Sequence, residues 1–434
     1  MNNDIKISAI TSPLMGEVII PSDKSISHRA IILGSLTGGK LKISNFSKGK
    51  DPISTLEIFK NLGLEVSFID DKTLFINSKN SLTAPSIPLD CGNSGTTMRL
   101  MTGLLSGQKF NSELFGDVSL SKRPMKRIIE PLTLMGAKIE SNENKAPLKI
   151  KGSKLNGITY ESKIASAQVK SSILLAGFNS VGETKVIEPS LSRNHTEIML
   201  QYFEADIKTG KIEDKFYTTI RSSFLIPKDV YIPGDISSAA FFMVAAAITK
   251  NSDIIIKNVG LNETRTGIID VMKNMNVDFE ILDEKITNGE KIGDVRVKYS
   301  PNLKGTEIKG DIIPRLIDEI PVICVLAGFA EGKTIIKDAS DLKNKESDRI
   351  KCTADELKKM GINIEATDDG FIIEGNGQKQ IEGNAELNTY NDHRLAMSFY
   401  VAGLNAKSEC LIKDFIWVNT SFPEFLGLFN KLGV

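Results

Sequence analysis

The chain has 434 residues, enough for roughly two or three domains, and its 41% apolar and 25% charged residues are ordinary for a folded globular protein. Lys plus Arg and Asp plus Glu both number 54, so net charge gives no reason to expect nucleic acid or an anionic membrane as partner. Four scattered cysteines (Cys91, Cys324, Cys352, Cys410) form no CxxC pair, which argues against zinc and a disulfide framework and suits a reducing, cytoplasmic setting.

In chain order, the start MNNDIKISAI lacks the layout of a signal peptide and contains a strand over 5–10. A repeat then runs to the C-terminus. Each copy opens on small and polar residues, enters an Ala/Ser/Leu-rich helix, and passes through a β-branched strand. A second helix follows, ending at Gly or an Ala or Asn substitute, and then a further strand.

The openings are Ser22-Asp23-Lys24-Ser25, Gly92-Asn93-Ser94-Gly95, Ser166-Ala167-Gln168, Gly234-Asp235-Ile236-Ser237, Asp318-Glu319-Ile320 and Asn391-Asp392-His393-Arg394. They recur at intervals of 70, 74, 68, 84 and 73 residues. Such a period holds a whole helix-and-strand subdomain and exceeds the roughly 20–50 residues of a solenoid unit. Six copies should share cores three and three, dividing near Tyr231-Ile232-Pro233-Gly234. The domains expected are 21–233, and 1–20 with 234–434, the first strand packing on the second half. The longest apolar run, 239–248, is about half the roughly 20 residues that span a bilayer, and it reads as a buried helix.

The polar openings carry the chemistry. Helix N-termini leave backbone N–H groups unpaired and favour anions, so six of them facing one cleft would make a large anion site. The first opening adds Lys24, Ser25, His28 and Arg29; its plain reading is a cap at Ser22 or Asp23 with solvated cations. In the third, Ser166 is explained by capping, whereas Gln168 is a neutral hydrogen-bonder suited to phosphate oxygens and hydroxyls. Lys345-Glu346-Ser347-Asp348-Arg349 sets a carboxylate between two cations, either a solvated ion-pair face or an anion site with a proton carrier. Arg394 offers a planar fork for carboxylate or phosphate. Of the three histidines, His28 and His393 fall in these segments and His195 in the further polar stretch Arg193-Asn194-His195.

The strings PSDKSISHRA, GNSGTTMRL, SAQVK, KESDR and NDHRLAM, in this order and spacing, resemble the 5-enolpyruvylshikimate-3-phosphate (EPSP) synthases throughout the chain. The resemblance implies a two-domain inside-out α/β barrel (enolpyruvyltransferase-like), three βαβαββ repeats per domain, that closes on its substrates. It implies a monomer with phosphoenolpyruvate and shikimate 3-phosphate as substrates, no cofactor and no metal. Carried over by position, Lys24, Ser25, Arg29, Ser166, Gln168, Asp318 and Lys345 resemble shikimate 3-phosphate ligands, with Ser192 and Arg193 near the sugar phosphate. Lys24, Gly95, Arg123, Gln168, Arg349 and Arg394 resemble phosphoenolpyruvate ligands, and Asp318, Glu346 and Lys24 are the implied proton carriers.

Asn419-Thr420-Ser421 stands where the best-known bacterial branch has a lysine. SAQVK, Arg193-Asn194-His195-Thr196-Glu197 and Asn262-Glu263-Thr264-Arg265 resemble the family's second class, often glyphosate-tolerant. Gly95, however, sits where tolerant members commonly carry alanine. The sister UDP-N-acetylglucosamine enolpyruvyltransferases usually place a reactive cysteine, sometimes an aspartate, in the loop matching 116–124, where this chain has Asp117 and no cysteine, Cys91 lying before the opening instead. A non-enzymatic repeat scaffold would not need Lys24, Asp318, Glu346, Arg349 and Arg394 in register.

Overall fold

The computed structural model describes residues 3–79 and 81–434. The chain forms two compact units, one of Ser22–Ile232 with Ile286–Glu290, the other of the segment ending at Pro21, Pro233–Lys285 and Lys291–Val434. Each has its own apolar core.

The 22–232 unit carries three four-stranded sheets of one design, a parallel pair followed by two antiparallel neighbours. The first sheet runs Val230–Tyr231, Lys40–Ser44, Leu74–Asn77, Glu65–Phe68. The next is Leu89–Asp90, Ser112–Phe115, Lys145–Lys151, Lys138–Asn142, and the third Thr159–Glu161, Thr184–Glu188, Lys215–Ile220, Ile207–Ile212. The other unit repeats the pattern with Met15–Ile19, Asp253–Gly260, Glu290–Lys298, Phe279–Thr287 and with Glu307–Ile308, Glu331–Ile336, Phe371–Asn376, Asn363–Ala366. Its last sheet has three strands, Glu386–Leu387, Cys410–Ile412 and Ile5–Ile7. The strand expected over 5–10 is thus a ladder of three residues; Ala9 and Ile10 still donate to the Ala406 and Leu404 carbonyls at 3.2 and 3.1 Å.

The first helix of each copy is the buried layer: Lys24–Gly34, Gly95–Ser106, Ala167–Phe178, Ile236–Ile248, Ile320–Phe329 and His393–Gly403. Ile236–Ile248 and Ile320–Phe329 are buried along their whole length, as helices apolar on every side must be. Phe242 stacks on Phe429 with centroids 4.3 Å apart, tying the last helix, Phe425–Lys431, to this layer. The sheets take the outside, as the alternating burial of Lys145–Lys151 illustrates. With helices in and sheets out, this is the two-domain inside-out α/β fold. At Gly103 an added Cβ would lie 2.1 Å from the Ser172 carbonyl oxygen, so the helices Gly95–Ser106 and Ala167–Phe178 meet at a distance only glycine permits.

The second helices end alike. In all six copies the second residue past the C-cap donates back to a carbonyl of the last turn: Leu64 to Phe59, Ala137 to Leu132, Ala205 to Leu200, Val277 to Met272, Ile362 to Leu357 and Val434 to Phe429. The left-handed residue before it is Gly63, Gly136, Glu204, Asn276, Gly361 or Gly433. In the third copy the substitute is therefore Glu204 (φ +65°) and not Ala205, which instead supplies the returning N–H.

Candidate active site

In the 22–232 unit, Asp23 caps the helix Lys24–Gly34 through the Ile26 N–H at 2.8 Å. Lys24 is thereby set in the first turn, where its ammonium meets Asp51 at 3.1 Å. Arg29, one turn later, is 3% exposed and not a solvated cation. It donates to Thr196 Oγ1 (2.7 Å), Ser171 Oγ (2.9 Å) and the Ser25 carbonyl (2.9 Å), which uses three of its five N–H groups. Burial lowers its pKa to about 10, opposed by Glu197 and Asp23. His28 is fully buried and bonded to Thr55 Oγ1 at 2.7 Å, and burial pushes its pKa down to about 3. It is a neutral structural histidine.

Ser94 caps the next opening, bonding the Thr97 N–H at 3.1 Å. Gly95 brings two guanidinium groups close: an added Cβ would lie 2.9 Å from Arg99 Nη1 and 3.4 Å from Arg123 Nη1. Arg99 also donates to Gln168 Oε1, while Gln168 Nε2 donates to Thr96 Oγ1 at 3.0 Å. Arg123 is held by Asn93 Oδ1 at 3.0 Å, and Asn93 in turn by Asp117 at 2.8 Å. Gly95, Arg123 and Gln168 are thus one cluster, with Arg99 at its centre. Arg99 lies inside the string GNSGTTMRL, but nothing in the residue pattern separates it from a surface cation.

Ser166 occupies the N-cap of Ala167–Phe178 yet makes no side-chain cap bond, so the capping explanation of this serine fails. With its backbone already extended, its hydroxyl is not committed to the helix end. Ser192 is buried, its chain neighbour Arg193 is half-buried, and His195 Nδ1 lies 2.6 Å from Glu290 Oε1.

The other unit holds an alternating charge cluster. Arg349, 1% exposed, bonds Asp392 through Nε (2.8 Å) and Nη2 (3.2 Å), Glu346 at 2.6 Å, and Asp318 at 3.4 Å. Lys345 reaches Asp318 at 3.4 Å. Burial works against the Arg349 charge, but Asp392, Glu346 and Asp318 outweigh it and raise its pKa. Asp392 also accepts from Ser347 (3.0 Å) and from the Arg394 N–H (2.9 Å), so one carboxylate caps a helix and holds an arginine. Arg394 donates to the Ser237 carbonyl at 3.1 Å and lies over the Phe241 ring at 5.9 Å. The solvated ion-pair reading of KESDR therefore fails at Arg349. Around the Ser237 that Arg394 contacts, Asp235, Ser237, Arg265 and Glu319 form a buried polar network, in which Arg265 meets Asp235 at 3.0 Å.

Residues 8–429 match the family described as EPSP synthase (3-phosphoshikimate 1-carboxyvinyltransferase). The chain belongs to the EPSP synthase family. A 3-phosphoshikimate 1-carboxyvinyltransferase of Thermoanaerobacter sp. (strain X514) is 50% identical over 96% of this chain and 98% of its own, and one of Petrotoga mobilis is 49% identical over 97% and 98%. The EPSP synthase structure from Acinetobacter baumannii superposes with TM-score 0.89 at 42% identity, covering 99% of this chain and 98% of that one. An enolpyruvyl transferase from Streptomyces tendae shares the fold (TM-score 0.80) at 16% identity, covering 100% and 98%.

The features that would suit the sister enolpyruvyltransferases are otherwise engaged in this EPSP synthase family member. Cys91 is fully buried and burial drives its thiol pKa up, so it is no nucleophile. Asp117 spends its carboxylate on the Leu120 N–H (2.8 Å) and on Asn93.

Proposed function

We propose that the polar helix starts of the two units carry out the family's reaction, in which the enolpyruvyl group of phosphoenolpyruvate moves to the 5-hydroxyl of shikimate 3-phosphate and phosphate is released. This is a step of the shikimate route to aromatic amino acids. Lys24, Ser25, Arg29, Ser166, Gln168, Asp318 and Lys345 bind shikimate 3-phosphate. Lys24, Gly95, Arg123, Gln168, Arg349 and Arg394 bind phosphoenolpyruvate.

The observation that carries this reading is the run of alternating charges Lys345–Asp318–Arg349–Glu346, each neighbouring pair within 3.4 Å. Asp318, partly exposed between Lys345 and Arg349, takes the proton of the substrate hydroxyl, with Lys24 assisting. The hydroxyl oxygen then attacks C2 of phosphoenolpyruvate while C3 accepts a proton from Glu346, which must enter this step as the carboxylic acid and leaves it as the carboxylate. In the second half, Glu346 takes a proton back from C3 and the C2–O bond to phosphate breaks, leaving the enol ether. The guanidinium of Arg349, fixed by Asp392, needs no reorganisation as charge moves to the leaving phosphate. Gly95 leaves the space beside Arg99 and Arg123 open for the donor. All these groups come from one chain, so a monomer suffices, and the four buried free cysteines fit our placement of the reaction in the cytoplasm.

The test is phosphate release by purified, chelator-treated protein given phosphoenolpyruvate with either shikimate 3-phosphate or UDP-N-acetylglucosamine. Release that requires shikimate 3-phosphate is the expected result. Release with the nucleotide sugar alone, or with neither, refutes the assignment.

A further inference from the structure

Lys170 is among the largest fully buried side chains, and the reaction above assigns it no part. Its ammonium meets Glu188 Oε2 and Glu197 Oε1, each at 2.7 Å, and the Ser192 carbonyl at 3.3 Å. These partners accept all three of its N–H groups. They also come from separate pieces of chain. Lys170 is in the first turn of Ala167–Phe178, Glu188 ends the strand Thr184–Glu188, and Glu197 is in the first turn of His195–Tyr202. The loop 189–194 between the last two is therefore gripped near both ends and at Ser192.

A buried ion pair is weak grounds for stability, because desolvation offsets its attraction and apolar side chains often pack as well. This site goes further, placing two carboxylates against one ammonium. The second positive charge is Arg29, which Glu197 supports electrostatically. Arg29 donates to Ser171 and Thr196, the chain neighbours of Lys170 and Glu197, and those two hydroxyls are 2.7 Å apart. The four charges thus share one frame, with Arg29 at its edge and the Ser192–Arg193 loop across it. Ser166 and Gln168 start the helix that carries Lys170.

We propose that Lys170 is a positioning residue for shikimate 3-phosphate, its ion triad holding the 189–194 loop and the Arg29 guanidinium where the sugar phosphate is received. The proposal rests on the substrate reading given above. Lys170 itself is too enclosed to touch substrate, and it acts through the groups it fixes.

The experiment compares Lys170→Met, Glu188→Gln and Arg29→Ala in the full chain, measuring kcat, KM for each substrate, and amide hydrogen exchange of the unliganded protein. For Lys170→Met, KM for shikimate 3-phosphate rises on the order of tenfold, the scale of coupling within one buried network, and the phosphoenolpyruvate KM moves far less. Exchange quickens selectively over 189–194. An unchanged shikimate 3-phosphate KM, or an equal rise in both constants, overturns the proposal. Should Lys170→Met fail to fold, Glu188→Gln decides, since it keeps one ion pair and removes only one charge. A severalfold rise confined to shikimate 3-phosphate then supports the role and no change refutes it. If Arg29→Ala raises that KM and the triad variants do not, the Lys170 role falls alone. If none of the three moves it, the substrate reading falls as well.

Discussion

Replacing Asp392 by asparagine separates two jobs that one carboxylate performs. Asparagine caps a helix about as well as aspartate, so the bond from the Arg394 N–H should survive. What is lost is the charge opposite Arg349, with bonds of 2.8 and 3.2 Å on a carboxylate that is 0% exposed. Breaking a buried ion pair by removing one partner typically costs about 3–5 kcal/mol. Here Glu346 at 2.6 Å and Asp318 at 3.4 Å still face the guanidinium, so the lower part of that range, about 3 kcal/mol, applies. With a urea m-value of roughly 2 kcal/mol per molar for a domain of this size, the midpoint should fall by about 1.5 M. The assay is urea unfolding followed by Trp417 fluorescence, the single tryptophan, which lies in the same unit. Phosphoenolpyruvate KM should rise in parallel as Arg349 loses its fixed orientation. A midpoint within about 0.3 M of the parent, with KM unchanged, would refute the view that Asp392 holds Arg349.

Glu346→Gln should keep both substrates bound, because Arg349 retains Asp392, yet lower kcat by about 10²–10⁴, the usual worth of a general acid–base group; parental turnover removes its proton role. Gly95→Ala should fold normally, since its methyl meets only the mobile ends of Arg99 and Arg123, but it should raise phosphoenolpyruvate KM and raise the glyphosate inhibition constant more. An unchanged ratio of the two constants counts against Gly95 lining the donor site. His28 stays neutral in the fold with its pKa pushed down to about 3, while in the unfolded chain it takes a proton near pH 6.5. The unfolded state thus binds the extra proton between those values, and stability falls as pH drops through that window, by up to about 1.4 kcal/mol per pH unit from this group. His28→Gln should flatten the slope between pH 5.5 and 4.5 in urea titrations, and an unaltered slope contradicts the assignment.

The sequence alone determined the repeat, since each copy must write its own apolar helix, glycine-like helix end and β-branched strand in local code. Those signals depend on neighbours within a few residues, which is why the six buried helices are legible in PSDKSISHRA, GNSGTTMRL and their counterparts. The resemblance of the five motifs also named the family. Tertiary structure decided which polar residues are occupied and which are available. Asp392 and Asp23 cap while Ser166 does not, and Arg29 and Arg349 are buried hubs although their strings read equally well as solvated charge. It also decided the partners of Ile5–Ile7 and Val230–Tyr231, each paired with a strand far away in the chain. Arg99 against Gln168 and Lys170 between Glu188 and Glu197 are likewise contacts across copies or across a loop. Such pairings follow from how chain segments stack in space, and no spacing in the sequence encodes them.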